Sequence, residues 1–355
     1  MTKVRLIYLK KKNRQNLLLR GFICEVLDLK ILFFTDTHIR GTTPKNRKDV
    51  FVDSVEKKLL EITNIIEDYN IDFVLHGGDL FDRPDISISI VSRFLVILDR
   101  IKVPIYLISG NHDIYGHNPD TINRTMLGLL DVLGIIKIIR SKEKVILEKD
   151  NISVQLTGSP YVYDMDSPGK LDYYLVKDVD PQIDFSIHMV HGMLLDKPFI
   201  KGIPFTLVEN IRDTKADITL SGHYHGGFKT IEIDNHYFVN PGSVVRIANS
   251  LKEIERIPKV VIIELNDTIS ILEIPLLSAL PGEEVLDRTE IEKNLFKNER
   301  ILEFKQSIDE ALDFDKMDIN EILMKVSYAD KVESNVIKEA LRRIAFVQMK
   351  GLNGD

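Results

Sequence analysis

Tryptophan is absent from this 355-residue chain and cysteine occurs once, at Cys24. A lone thiol makes no intrachain disulfide and no thiolate cluster, so any metal has to be held by His, Asp, Asn or Glu. The expected setting is the reducing cytoplasm, or a host's cytoplasm if the chain is phage-encoded. Long apolar runs are lacking as well: segments such as Lys30 to Thr35 fall far short of the ~20 residues a bilayer span needs, so no membrane contact is expected. Acidic residues are missing from the first twenty positions, which hold seven Lys or Arg. Lys10, Lys11, Lys12 and Arg14 nevertheless break up any secretory apolar core, which argues against a signal peptide. Repeats and biased tracts are lacking, and 44% hydrophobic with 28% charged residues is an ordinary globular balance. The net charge of −7 speaks against a surface that grips nucleic acid throughout. Basic residues still collect near the start and at Arg40, Lys45, Arg47 and Lys48, whereas Glu and Asp dominate after Pro281; such a strip is enough for a strand-end contact.

The length implies a catalytic domain with a smaller appendage. From Lys30 onward short apolar runs alternate with longer amphipathic ones, the rhythm of an α/β fold. Strands are expected at Lys30–Asp36, Asp72–His76, Ile105–Ser109, Ile152–Thr157, Phe185–Val190, Ile218–Ser221 and His236–Val239, and a hairpin joins Val260–Leu265 to Ile269–Ile274 around Asn266 and Asp267. Apolar residues at helical spacing place helices at Val50–Asp68, Ser87–Arg100 and Thr121–Leu133. Past Pro281 the pattern is wholly helical. Thr289 and Glu292 form a capping box ahead of Ile291, Leu295, Ile301 and Leu302, and Ser334–Lys350 carries a second stripe of Ile337, Ala340, Leu341 and Ile344. The expected division is an extension at 1–29, a catalytic domain at 30–280 and a helical tail at 281–355. The extension is open between a peripheral segment and a basic arm on nucleic acid.

Five apolar strands end in polar groups that bind metals. They read Thr35-Asp36-Thr37-His38; Gly77-Gly78-Asp79-Leu80-Phe81-Asp82; Gly110-Asn111-His112-Asp113; His188-Met189-Val190-His191-Gly192; and Ser221-Gly222-His223-Tyr224-His225. Each alone is common, but in α/β sheets the carboxyl ends of strands converge on one site, so together they describe one cluster. Asp36, His38, Asp79, Asn111, His191, His223 and His225 are too many ligands for a single ion, so two divalent cations are implied, with Asp79 as the bridge through its two oxygens. The donor set suits Mn²⁺, Fe or Zn²⁺. His76, His117, His188 and His236 are left to packing or surface.

This order of motifs resembles the calcineurin-like metallophosphoesterase superfamily over roughly Lys30 to His225. The resemblance implies a two-layered β sandwich flanked by helices, with a small helical appendage. It also implies one metal on Asp36, His38, Asp79 and His225 and a second on Asp79, Asn111, His191 and His223. Paired cations activate water and offset charge in an in-line displacement. His112, beside a ligand without being one, becomes the general acid for the leaving oxygen, and Asp82 the residue that orients it.

Within the superfamily the chain is most similar to the SbcD-type nuclease subunit of double-strand-break repair, on Gly77 to Asp82, on Asn240-Pro241-Gly242-Ser243-Val244-Val245-Arg246, and on the helical tail. That implies DNA as substrate, exonuclease or endonuclease action, Mn²⁺ as the family metal, an SbcC-type coiled-coil ATPase docked on the tail, and a homodimer through helices Ser87–Arg100 and Thr121–Leu133. Asp82 stands where some of these nucleases carry histidine, and the tail is short, which fits a compact, phage-type version. Arg40, Lys45, Arg47, Lys48 and Arg246 are the expected phosphate contacts. A small-molecule phosphodiesterase or phosphatase with the same ions remains the alternative. A decayed, non-catalytic site is disfavoured because no ligand position is substituted.

Overall fold

The computed structural model describes residues 28–289, 327 and 332–351. The expected extension before Asp28 and the helix expected after Thr289 lie outside the described residues. In chain order the elements that matter are β1 (Leu29–Phe34), α1 (Phe51–Asp68), β2 (Phe73–His76), α2 (Ile88–Leu98), β3 (Ile105–Leu107), α3 (Met126–Val132), β4 (Lys137–Ile138), β5 (Lys144–Lys149), β6 (Ile152–Ser159) and β7 (Phe185–Gly192). They continue with β8 (Leu194–Leu195), β9 (Thr206–Leu207), β10 (Ile218–His223), β11 (Phe228–Ile233), β12 (His236–Asn240), α4 (Leu251–Glu255), β13 (Lys259–Leu265), β14 (Ile269–Pro275), α5 (Gly282–Val285) and α6 (Ser334–Gly351).

Two six-stranded sheets stack face to face, one in the order β14-β13-β1-β2-β3-β4 and the other β11-β12-β10-β7-β6-β5. The period-two alternation of β1 explains the layering. Leu29, Ile31 and Phe33 join Leu75, Val154, Ile187, Met189, Leu220 and Ile263 in the core between the sheets, while Leu32 and Phe34 face the other way, onto Phe51, Val55, Leu59, Ile62 and Phe94 of α1 and α2. A strand buried on both faces is apolar on both, which is why Ile31–Phe34 of β1 reads as one continuous run. A third cluster, with Tyr174, Val190, Leu194 and Phe238, covers the outer face of the second sheet. Each large side chain so buried contributes roughly 1.5–3 kcal/mol.

The parallel pairs β1–β2 and β2–β3 in one sheet, and β7–β10 in the other, point their carboxyl ends at the same edge of the sandwich. The expected hairpin is present, with Leu265 opposite Ile269. Two features differ from expectation. The helix expected at Thr121–Leu133 is a 3₁₀ turn at Pro119–Arg124 followed by α3, because Thr125 turns extended and its Oγ1 accepts the Gly128 amide as the cap of a new helix. Strands β4, β5, β8, β9 and β11 were not expected: β4, β8 and β9 are two residues long, and the polar residues of β5 and β11 face outward at the two edges of the second sheet.

The compact unit that holds the sandwich runs through Asp287, past the boundary expected at residue 280, and a second unit begins at Arg288. Residues 281–287 belong to the first because the Lys48 amide donates to the Val285 carbonyl and the Asp287 amide to that of Asn46. Within the second unit, α6 occupies the segment expected to be helical. No helix among the described residues is long and apolar enough to cross a membrane.

Candidate metal centre

The floor of the site is dry and the rim is open. Asp36, His38, Asp79 and His191 are buried, whereas Asn111, His112, His223 and His225 are half-buried. Four of the residues sit at positive φ: Asp36 (55°), His38 (45°), Asp79 (55°) and His223 (73°). Side chains other than glycine's adopt this conformation at a cost, and its clustering where strands give way to loops is a feature of functional sites. Here the backbone repays part of that cost. The Asp36 amide donates to the Gly78 carbonyl at 3.0 Å and the His38 amide to the Asp79 carbonyl at 3.0 Å, so the loops after β1 and β2 zip together below the side chains.

The donors fall into two groups that share one oxygen. Asp36, His38, Asp79 and His225 place one donor atom each within 4.8 Å of one another, as do Asp79, His191 and His223. Asp79 Oδ2 lies 3.6 Å from His38 Nε2 in the first group and 3.3 Å from His191 Nε2 in the second. Asn111 Oδ1 completes the second, 2.9 Å from His223 Nδ1 and 3.3 Å from His191 Nε2. All seven ligand positions read from the sequence are therefore brought together. Asp79 Oδ1 accepts the His112 backbone amide at 2.8 Å, and Oδ2 faces both groups.

These residues fit a pair of cations. The Nε2 atoms of His38 and His225 stand 3.0 Å apart, and His38 Nδ1 is buried without a hydrogen-bond partner. His191 donates from Nδ1 to the Gly77 carbonyl at 2.7 Å, since a carbonyl only accepts, and so turns the lone pair of Nε2 toward Asp79 and Asn111. Burial alone would raise the Asp36 and Asp79 carboxyls, but hydrogen bonds and charges of His225 and His191 hold both well below the usual range. Burial pushes His38 down to about 3 and His223 to about 4. Burial also opposes a proton on His191, yet the Asp79 carboxylate outweighs it and raises the group to about 9. Two ionised carboxylates, the Asn111 amide and four imidazoles form a donor set for hard to borderline divalent ions.

His112 is placed beside the first group. Its ring meets that of His38 edge-on at 4.7 Å, and its Nδ1 donates to the Asp82 carbonyl at 2.8 Å, leaving Nε2 free. Asp82 thus meets His112 through its backbone carbonyl, not its carboxylate. That carboxylate is held by Arg40 at 3.0 Å and faces His38 Nδ1 at 3.7 Å.

The expected phosphate contacts divide. Arg40 is at the rim, where with Asp82, Arg83, Ser87 and Ser89 it lines a cavity of about 310 Å³. Lys45 and Lys48 are exposed, and Lys48 Nζ donates to the Glu283 carbonyl. Arg47 and Arg246 do not reach the surface, being 8% and 3% exposed. Arg47 pairs with Asp49 and with the Arg246 carbonyl, and Arg246 donates to the carbonyls of Arg256 and Leu280, so both guanidiniums brace the fold and neither is free for phosphate.

Several supports were not read from the sequence. Asp113 accepts the amides of Leu80, Phe81 and Gly110, tying the loops after β2 and β3 together, and burial raises its carboxyl to about 7. Ser243 Oγ donates to the Asp36 carbonyl at 2.7 Å and its amide to the His225 carbonyl at 3.0 Å, so the Asn240–Arg246 segment is the back wall of the site. His76 donates to Thr37 Oγ1 at 2.6 Å and accepts the Gly78 amide; it packs, as expected, but it packs the site. His188 uses both nitrogens away from the cluster, on Thr157 and the Tyr173 carbonyl. The one signal available for Ser243 was its place in a motif; for His76 and Asp113 there was only their nearness in sequence to ligands.

Residues 29–227 match the family model for calcineurin-like phosphoesterase. The chain belongs to this family. Among curated relatives of this calcineurin-like phosphoesterase is the DNA double-strand break repair protein Mre11 of Methanosarcina mazei, 24% identical over 238 residues, which are 64% of this chain and 35% of that protein. An uncharacterized metallophosphoesterase of Helicobacter pylori is 35% identical over 109 residues, 28% of this chain and 26% of its own. The match thus spans about a third or less of the length of these relatives. Among solved structures, the calcineurin-like phosphoesterase YfkN from Bacillus subtilis aligns with a TM-score of 0.44 at 15% identity, covering 78% of this chain and 98% of that one. A dimetal phosphatase from Danio rerio aligns with a TM-score of 0.43 at 11% identity, covering 70% and 99%.

Proposed function

We propose that the chain is a two-metal phosphodiesterase that cleaves DNA, a compact SbcD-type nuclease subunit. The observation that carries the chemistry is Asp79 Oδ2, set between two donor groups at 3.6 and 3.3 Å with His112 alongside. Asp36, His38, Asp79 and His225 would hold one ion and Asp79, Asn111, His191 and His223 the other, with Mn²⁺ the proposed metal. Bound there, the ions supply Lewis-acid clamping of the phosphoryl oxygens and an activated water. The chain's own groups supply the rest. The Asp82 carbonyl keeps the proton of His112 on Nδ1 in the neutral ring; protonated at Nε2 as well, the imidazolium gives that proton to the departing sugar oxygen. Asp36, Asp79, His38 and His191 close the floor against water.

DNA as substrate rests on the Mre11 similarity, Mre11 being the counterpart of SbcD, and on Arg40 at the rim. An SbcC-type ATPase is proposed to dock on the unit that begins at Arg288, and a second copy to pair through α2 and α3, where Ile88, Val96, Val132 and the capping Leu133 are exposed. A small-molecule phosphodiesterase or phosphatase is the second reading, which the family match alone supports equally. The two separate in one experiment: the purified chain with Mn²⁺ on end-labelled linear duplex and on bis-p-nitrophenyl phosphate. The nuclease reading expects DNA cleavage, lowered on the order of 10²–10⁴-fold in His112→Ala. Turnover of the ester with intact DNA would sink it in favour of the second reading.

A further inference from the structure

Beside the second donor group stands a set of aromatic rings that the two-metal chemistry does not use. Tyr161 follows β6, tied by its amide to the Ser109 carbonyl at 3.0 Å. Its ring lies 5.6 Å from that of His223 and 6.3 Å from that of His191, so it adjoins two of the proposed ligands. On its far side His117 stands 5.6 Å away, and His117 in turn lies 6.1 Å from Tyr163. The three rings are tilted against one another by 52° and 48°. They form a chain that leads from the metal centre outward.

Two observations set this chain apart from ordinary packing. Tyr163 is 77% exposed, the least covered tyrosine among the described residues, although it is only two positions from a ring that adjoins the ligands. His117 is also exposed and sits at φ 57°, directly after Gly116 at φ 56°. A left-handed pair at the tip of the loop after β3 carries its ring across to the tyrosines, and a residue other than glycine is strained there. Rings left in water beside a phosphoester-cleaving site have a natural occupant in the flat face of a nucleobase. Stacking on aromatic side chains is worth about 1–3 kcal/mol per base and tolerates any sequence.

We infer that His117 and Tyr163, backed by Tyr161, form a stacking platform for the unpaired base of the nucleotide next to the scissile phosphate. This rests on the DNA-cleaving reading above and adds to it the form of the substrate. The platform adjoins His191 and His223 of the second donor group, whereas the His112 ring adjoins His38 of the first. The stacked base therefore belongs to the side of the scissile phosphate away from the leaving oxygen. A base within a paired duplex has both faces covered, so the platform favours frayed or single-stranded ends.

The test compares cleavage of single-stranded oligonucleotides that differ only by an abasic site at one of the two nucleotides flanking the cut. The full chain with Mn²⁺ is expected to cleave the intact strand roughly 5- to 100-fold faster than the strand abasic on the platform side, the range that follows from the stacking energy, and to be indifferent to an abasic site on the other side. In Tyr163→Ala and His117→Ala that preference shrinks toward one, and Tyr163→Phe restores it, because the stacking face and not the hydroxyl is what counts. Equal rates on intact and abasic strands by the unaltered chain, or a preference that survives both alanine variants, overturns the platform while leaving the nuclease reading in place. Failure to cleave either strand, with the phosphodiester still turned over, overturns the nuclease reading and the platform with it.

Discussion

At the scale of single residues the site depends on which atom of each side chain is already committed. Asp79 gives Oδ1 to the His112 amide and keeps Oδ2, and His191 gives its Nδ1 proton to Gly77 and keeps Nε2. Committed atoms fix the direction of the free ones, and a metal ligand is defined by direction as much as by identity. His191 also sets a pH dependence. Without an ion its imidazole is raised to about 9 beside Asp79, so at neutral pH a cation entering the second group displaces a proton. Apparent affinity for that ion is expected to rise about tenfold per pH unit toward that value; titration calorimetry at pH 7 and 8 checks it, and a flat response would remove His191 from the ligand set. Gly78 marks how little space is left behind this ring. It sits at φ 102°, and a Cβ there would come within 2.3 Å of His191 Nδ1. Gly78→Ala is expected to lose the second ion, read as a fall in bound metal per chain by mass spectrometry, with a smaller loss at the first group.

At the scale of elements, α1 does more than cover the first sheet. It carries Lys58, 2% exposed, whose Nζ has Ser54 Oγ at 3.3 Å. Burial, then repulsion from Arg47, Arg246 and Arg256, brings this amine from 10.5 down to about 7, with Asp49 opposing. The folded value is depressed, so between about pH 7 and 10.5 the unfolded chain binds more protons than the folded one and stability climbs with pH across that window. Lys58→Met is expected to flatten this climb and to stabilise the protein at neutral pH by on the order of 2 kcal/mol, as apolar replacements of buried charges do. Denaturant unfolding at pH 7 and 9 measures it, and an unchanged slope would show that Lys58 is solvated in the fold. The strands act through their ends. β1, β2 and β3 stop just short of Asp36, Asp79 and Asn111, so a rigid sheet edge delivers ligands whose loops are then cross-tied by Asp113 and Ser243.

At the scale of the whole molecule, ligands come from both sheets of one sandwich. Asp36, His38, Asp79 and Asn111 follow strands of the first sheet, and His191, His223 and His225 belong to or follow strands of the second. The sandwich core between them is therefore what sets the distance between the halves of the metal centre. Because this unit runs through Asp287, a chain ending there is expected to retain bound metal and turnover of bis-p-nitrophenyl phosphate within about twofold; loss of both would mean that the site needs the residues after it. Nine of the fourteen strands, helices α1 and α2 and all seven donor positions were legible in the residues themselves. Periodicity reports which faces are buried, and metal-binding chemistry admits few residue types. What needed the tertiary structure were relations between segments distant in sequence. The outward-facing edge strands β5 and β11 carry little apolar signal, the break at Thr125 is a capping bond, and the burial of Arg47 and Arg246 follows from carbonyls up to 199 residues away. The sequence alone determined which donor residues gather and the phosphoesterase family they mark, because residue type and strand ends are local properties. Which oxygen bridges, which group of Asp82 holds His112, and which rings surround the site were decided only by folding, because each is a matter of direction between two side chains brought together by the packed sheets.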